Sequence, residues 1–432
     1  MTKRLQGEIH HDAAHESAAL HVTGSADYTD DIPSPANTLH AYLGPSTIAR
    51  ARITGMDLSA VRAAPGVVDV LTAADIPGHN DVSPTGLNDE PIFATGEVAF
   101  WGQPLFAVLA ETRDQARRAA QLAKVEYDAL PHISDVGEAM SAGYPHVTKP
   151  LKLERGDVVA GMAAAPHIIK GKMRVGGQDH FYLEGHIALA IPGDAKSVQV
   201  YSSTQHPSEV QHMVAHVLGV DSHDVTIVVR RMGGGFGGKE TQPNLFAAVA
   251  AVGAKKHKRA VKLRPDRDDD MSSTGKRHDF LISYEVGFDD DGRILAVDGT
   301  FAARCGFSAD LSGPVTDRAL FHADNAYFYP AVRLKSRPMK TDTVSNTAFR
   351  GFGGPQGVIA AERIIEEIAY HRRMDTLAVR RANLYAEGRD VTPYHQVVTD
   401  NIMPQVLDKL EESSDYQARR AAVLAHNAKG GT

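Results

Sequence analysis

Residues 230–240 read RRMGGGFGGKE, with glycine at 233, 234, 235, 237 and 238. A β-branched run, Val225-Thr-Ile-Val-Val229, precedes them, and a helix-like run, Leu245-Phe-Ala-Ala-Val-Ala-Ala-Val252, follows. Strand, glycine loop, helix: that order presents free backbone N–H groups at a helix N-terminus, which suits an anion. Glycine adds positive φ angles and lets a ligand come close to the backbone. Gly233, Gly235 and Gly238 satisfy GxGxxG, a weak signal in any glycine-rich loop. Gly233 through Lys239 satisfy GxxxxGK, but Glu240 stands where a P-loop needs Ser or Thr for Mg²⁺. A carboxylate there repels a triphosphate, so the nucleotide-hydrolase reading fails. A tight turn with no ligand remains open for this loop taken alone.

A second loop, Asn346-Thr-Ala-Phe-Arg-Gly-Phe-Gly-Gly-Pro-Gln-Gly357, repeats the motif as Gly351-Phe352-Gly353-Gly354 against Gly235-Phe236-Gly237-Gly238. It too leads into a helix, predicted over Ile359 to Ile368, with Ile364, Ile365 and Ile368 at helical spacing. Two anion-ready loops suit one extended anionic ligand gripped from two sides. Arg350 can add a bidentate phosphate contact.

The two loops resemble those of the molybdenum-binding subunit in the xanthine dehydrogenase and aldehyde oxidase family. So do GGQDHFYLEG (176–185), STQHPSEVQ (203–211), RDDDMSSTGKRHD (267–279) and DRALFHADNAYF (317–328). The resemblance covers nearly the whole chain, in several long ungapped motifs in the expected order. It implies an α+β chain: an N-terminal hammerhead domain, then the first half of a molybdopterin-binding domain of mixed sheets and helices.

Composition agrees with a soluble enzyme. The chain has 432 residues, 43% hydrophobic and 23% charged, enough for two to four domains. A net charge of −7 argues against general nucleic-acid or anionic-membrane binding. No run reaches the ~18 apolar residues of a membrane span. The single cysteine, Cys305, excludes an intrachain disulfide and a four-thiolate Fe–S cluster held by this chain alone. Cytoplasmic chemistry is the simplest expectation. None of the 21 histidines forms an HExxH pattern, and His10-His11 reads as part of a frayed terminus.

Along the chain, residues 1–15 are expected to fray, 16–134 to form the hammerhead-like domain, 135–150 a linker, and 151–432 the molybdopterin-binding part. Strands are expected at Leu39–Leu43 and Gly66–Leu71. Val98–Trp101 and Leu105–Leu109 read as a hairpin across Gly102-Gln-Pro104. Thr112 should cap a helix reaching Lys124, with Ala116, Ala119, Ala120 and Ala123 on one side. Asp81 to Pro91 reads as a surface loop. His206-Pro207 should start a helix with Val210, Met213, Val214, Val217 and Leu218 inward, stopped by Gly219. Gly287 to Gly292 reads as a hairpin turn, and helices are expected at 403–412 and 414–427. The acidic run Asp266–Asp270 lacks the glycine and closing glutamate of a calcium loop and reads as a polar loop.

Single residues carry weaker signals. Gln205, between a strand and a helix start, has an ordinary structural reading; the resemblance makes it the amide that hydrogen-bonds an oxygen on molybdenum. Glu240 reads as a solvated first-turn glutamate kept ionised by a helix N-terminus; the resemblance makes it a substrate-binding carboxylate. Arg318 could pair with Asp317 or Asp310; by resemblance it is the guanidinium opposite Glu240 that steadies charge developing on a purine oxygen. Phe352 resembles the residue flanking the substrate ring, and Phe236, Gly237 and Arg350 resemble pterin contacts. Core packing is the alternative for the two phenylalanines. No protein side chain is expected to ligate molybdenum, which the family holds through the pterin dithiolene.

The resemblance implies oxidative hydroxylation of hypoxanthine to xanthine and of xanthine to urate. Its electrons would leave through 2Fe-2S clusters and FAD on a partner chain, with NAD as acceptor, in a hetero-oligomer. An aldehyde- or N-heterocycle-oxidising relative and a cofactor-free scaffold are the alternatives. The family's Gly-Glu-Pro-Pro segment, which supplies its glutamate base, does not occur in these 432 residues. The chain alone is therefore expected neither to hold the cofactor stably nor to turn over, and to expose an apolar face toward the missing half.

Overall fold

The computed structural model describes residues 14–430. The expected frayed terminus, with His10-His11, lies almost wholly outside the described residues, and a short helix, Ala18–Thr23, follows it. The fold is α+β, as expected, and among the described residues its strands form three sheets.

The largest sheet joins strands from both ends of the chain. β1 (Leu39–Pro45), β3 (Val67–Leu71) and β5 (Pro104–Ala110) come from the N-terminal region. β9 (Ala188–Pro192), β10 (Val198–Ser202), β11 (Val225–Val228) and β12 (Val261–Leu263) come from beyond residue 151. Their order is β11-β10-β9-β12-β1-β5-β3, with β1 parallel to β12 through Leu39↔Val261. The expected division near residue 134 is thus not a seam between two separate sheets. β5 explains why: every residue from Pro104 to Ala110 is buried, so both faces need cover. Ala107 and Leu109 join the core under the Pro243–His257 helix, and Phe106, Val108 and Ala110 join the one under the Arg113–Ala120 helix.

β7 (Lys152–Arg155), β8 (His167–Val175), β13 (Phe280–Phe288), β14 (Ile294–Gly306) and β15 (Ala331–Lys340) form a second sheet, ordered β7-β15-β14-β13-β8. The helices Ser312–Phe321 and Gly354–Arg372 cover it, burying Ala319, Leu320, Ile364, Ile365 and Ile368. β2 (Ala51–Asp57), β4 (Glu97–Val98) and β6 (Lys124–Ala129) make the third.

Local signals that name a cap or a stop hold. Thr112 accepts a hydrogen bond from the Gln115 N–H, and Gly219 ends the Pro207–Leu218 helix with φ of 64°. β13 and β14 pair across Gly287–Gly292, and the last helices run Met403–Ser413 and Tyr416–Ala428.

Signals that depend on distant partners need correction. Val98 pairs with β2 and not with Leu105–Leu109, which pair with β1 and β3. The intervening turn, closed by the Ala99 N–H on Gln103 Oε1 at 2.8 Å, carries the chain from one sheet to another. The Thr112 helix stops at Ala120, because Lys124 already begins β6. The linker expected at 135–150 contains a helix, Val136–Ser141, capped by Asp135 and packed through Val136 and Ala139 on Leu281, Ala302 and Met339. The surface loop 81–91 buries Asp81, Val82 and Ser83. The acidic run 266–270 opens a helix, Arg267–Ser273, whose capping box joins Asp266 to Asp269. The Ile359–Ile368 helix extends to Gly354–Arg372.

Candidate functional site

Before Pro243 opens the helix after the first glycine loop, residues 236–241 form tight turns. The expected direct capping of that helix by the loop is therefore absent. Buried side chains hold the loop instead. Lys239 is fully buried, donating to the Glu184 carbonyl at 2.7 Å and to Ser203 Oγ at 2.7 Å, with Glu184 Oε2 3.5 Å away. Its ammonium also lies 4.6 Å from the Tyr182 ring centre. Burial pulls its pKa down to about 8. The same Glu184 carboxylate accepts the Gly233 N–H at 2.8 Å and the Ser203 hydroxyl at 2.6 Å.

The second loop takes the same shape with different support. Gly238 donates to the Gly235 carbonyl at 2.7 Å, and Gly354 to the Gly351 carbonyl at 2.9 Å. Phe236 and Phe352 occupy left-handed backbone at φ of 51° and 50°, followed by Gly237 at 98° and Gly353 at 89°. A left-handed phenylalanine is strained, and its occurrence at both equivalent positions marks a designed turn. Here the loop does open its helix, with Gly353 as N-cap.

The two loops touch. Arg350 donates its N–H to the Phe236 carbonyl at 2.8 Å. A Cβ on Gly237 would lie 2.8 Å from the Ala348 carbonyl oxygen, closer than atoms can pack. His180 bridges the seam: its Nε2 lies 2.7 Å from the Ala348 carbonyl, its ring packs 4.6 Å from Phe349, and a Cβ on Gly238 would meet it at 2.6 Å. Asp310 ties the same junction from below, accepting from the hydroxyls of Thr241 and Thr347 at 2.8 Å each and from the Gln242 amide at 2.8 Å. Burial pushes the Asp310 carboxyl up.

Gln205 lies between β10 and the Pro207–Leu218 helix, as its position in the sequence suggests. Its Oε1 accepts the N–H groups of Gly237 at 2.8 Å and Lys239 at 3.3 Å. Those two donors fix the amide orientation and leave its NH₂ exposed, without a protein partner among the described residues. Glu240 is half-buried beside His206 and Glu209, and burial raises its carboxyl pKa. The expectation that a helix N-terminus keeps Glu240 ionised is corrected, since the helix begins three residues later at Pro243. Arg318 is exposed on the Ser312–Phe321 helix and makes no ion pair among the described residues; Asp310, once its candidate partner, bonds to the loop junction. Phe236 is exposed and Phe352 half-buried. Phe181, Leu183 and Phe236, at 67%, 95% and 48% exposure, leave apolar side chains in the open along the first loop.

Sequence reasoning did not find Glu184, His180 or Arg277. Glu184 and Lys239 are 55 positions apart, so no local pattern links them. The Arg277 guanidinium lies 3.9 Å from the Phe349 ring centre and donates to the Arg350 carbonyl at 2.9 Å. Its buried Nε and Nη1 have no acceptor and no carboxylate partner among the described residues. A loop junction with uncompensated positive charge, open backbone and an outward amide donor fits an anionic, oxygen-bearing group.

Comparison with known proteins agrees. The profile for the molybdopterin cofactor-binding domain matches residues 141–384, and that for the a/b hammerhead domain of aldehyde oxidase and xanthine dehydrogenase matches 23–131. The chain is 42% identical over 417 residues to a xanthine dehydrogenase of Dictyostelium discoideum, covering 96% of this chain and 30% of that protein. It is 43% identical over 416 residues to the Oryza sativa xanthine dehydrogenase, again spanning 30% of its length. The aldehyde oxidoreductase of Desulfovibrio gigas superposes with a TM-score of 0.86 at 29% identity, over 93% of this chain and 46% of that one. Among the described residues no helix is long and apolar enough to cross a membrane. With the repeated loops, their junction and both profiles in agreement, the chain belongs to the xanthine dehydrogenase and aldehyde oxidase family, whose molybdopterin-binding domain it carries.

Proposed function

We propose that this chain supplies the substrate-facing and pterin-facing part of a xanthine dehydrogenase that hydroxylates hypoxanthine and xanthine. The observation that carries the reading is the amide of Gln205, locked onto the first glycine loop by two backbone N–H groups with its donors pointing outward. The residues that would hold the cofactor are Gln205, Phe236, Gly237 and Arg350, with Arg277 behind them. Bound there, molybdopterin supplies the redox chemistry of the hydroxylation. This chain binds and orients: Glu240 and Arg318 hydrogen-bond a hydroxypurine, and Phe352 limits how its ring lies. Gly-Glu-Pro-Pro is missing from the 432 residues, so the general base, worth ~10²–10⁴ in rate, is supplied from outside them. Fe–S clusters and FAD on a partner chain, with NAD as final acceptor in the cytoplasm, complete the reading.

In the assembled enzyme, Glu240→Ala and Arg318→Met should each lower kcat/KM for xanthine by ~5–150-fold, because a site built for polar groups loses ~1–3 kcal/mol per unpaired partner. Aldehyde turnover should be spared. Unchanged kcat/KM for xanthine in both variants refutes the purine reading and favours an aldehyde substrate. Molybdenum content should fall in Arg350→Ala and Gly237→Val; full occupancy in both removes the two-loop cradle.

A further inference from the structure

The turn that carries the chain from β4 to β5 lies against the Arg267–Ser273 helix, and a cavity of about 90 Å³ opens beside that contact. A Cβ on Gly102 would sit 3.6 Å from the Ser272 carbonyl oxygen, which fixes how close the turn and the helix come. Tyr42, Trp101 and Phe246 line the cavity together with Pro45, Pro104 and Leu263. Trp101, the only tryptophan in the chain, is left 54% exposed there. No residue of either glycine loop borders it. One wall is polar. Tyr42 donates its hydroxyl to Asp269 Oδ1 at 2.9 Å, and Asp269 Oδ2 accepts the Asp266 N–H at 3.1 Å. Burial, with Asp269 beside it, pushes the Tyr42 phenol up to about 12, so it stays a donor at neutral pH. The basic side chains around Asp269 pair with its neighbours instead: Arg113 and Arg117 with Asp266, and Arg267 with Asp270 at 3.4 Å. Arg264, which also lines the cavity, pairs with Asp30 at 3.2 Å. Asp269 has no ion pair of its own among the described residues.

We propose that this cavity binds a small aromatic amine, with the ring among Trp101, Tyr42 and Phe246 and the ammonium on Asp269. The site is separate from the loop junction and does not depend on the purine reading. Size selects the ring. A closed cavity of ~150 Å³ takes benzene; this one is smaller but open on one side, so it has room for one ring and not for a fused pair. The walls select its character. Aromatic side chains favour a flat ring through face and edge contacts, and a cation beside tryptophan and tyrosine faces gains further attraction. Asp269 selects the charge, because an ammonium there meets a carboxylate that no basic side chain pairs with, and a charge-assisted hydrogen bond is the strong kind.

Trp101 reports on its own site. The test follows tryptophan emission of the full chain, excited where benzylamine does not absorb, as benzylamine is added. A saturable change is expected. Butylamine, which lacks the ring, and benzyl alcohol, which lacks the charge, should each bind about tenfold more weakly or worse. D269N should weaken benzylamine by about tenfold or more and leave benzyl alcohol unchanged. Asp269 also helps to cap its helix, so a second variant is needed in case D269N loses structure. S272F places a ring in the cavity from a half-buried helical position and should abolish benzylamine binding, measured by calorimetry, with the circular dichroism spectrum unchanged. Benzylamine binding no tighter than butylamine or benzyl alcohol overturns the proposal. So does an unchanged benzylamine affinity in a folded D269N or in S272F.

Discussion

The two Gly-Phe-Gly-Gly loops share a backbone but are anchored by different physics. The first is held by polar side chains beneath it: Lys239, Glu184 and the oxygen of Gln205. The second is held by close backbone approach, with Gly353 capping its helix against the Val315 carbonyl of the preceding one. A repeated motif thus fixes a repeated turn, while what secures the turn is decided by its neighbours. The difference also assigns vulnerability. The second loop should fail through sterics, the first through uncompensated charge.

Gly353→Ala gives the largest expected effect. A Cβ there would collide with the Val315 carbonyl oxygen, and the site's φ of 89° is foreign to L side chains. Loss of ~4 kcal/mol or more, or outright failure to fold, is expected from chemical denaturation. A variant as stable as the parent would mean that the second loop is not held by backbone contact.

Lys239→Met comes next. It strands the Glu184 carboxylate, nearly buried at 8% side-chain exposure, and should destabilise by ~2–4 kcal/mol. Glu184→Gln with Lys239→Met should recover part of this, since the paired neutral change leaves no buried charge behind. Strict additivity in the double-mutant cycle would break the claim that the two act as one anchor.

The smallest effect concerns the seam. Burial holds His180 down to about 4 from an ordinary value near 6.5. The unfolded chain therefore takes up the proton first, and stability from this group is fully present above pH 6.5 and lost as pH falls toward 4. Between pH 7 and pH 5 that amounts to about 2 kcal/mol. Asp310 and Asp324, both raised by burial, act in the opposite direction over this range, so the useful quantity is a difference. His180→Gln should lose about 2 kcal/mol less than the parent on the same acidification. Parallel curves would show that the seam does not depend on a neutral imidazole.

Much of the local structure was legible in the residues themselves. Thr112 and Gly219 mark helix ends because a cap is a contact between near neighbours. Gly287-Phe-Asp-Asp-Asp-Gly292 marks its turn for the same reason. The hairpin expected at Val98–Leu109 failed because both strands found partners elsewhere, and strand pairing is a long-range choice that a turn motif does not settle. The helix at Val136–Ser141 escaped notice because, at six residues, it has little periodicity and owes its place to packing on Leu281 and Met339.

The site divides along the same line. The sequence by itself determined the two loop backbones, because Gly-Phe-Gly-Gly restricts φ and hydrogen bonding within a few residues. It also placed Gln205 between a strand and a helix start. Only the tertiary structure decided that the Gln205 amide turns its oxygen onto the first glycine loop, and that Lys239 is an anchor rather than a phosphate ligand. Each of these depends on burial and on partners tens of residues away, and burial is set by the sheet that β1 and β12 close across the whole chain.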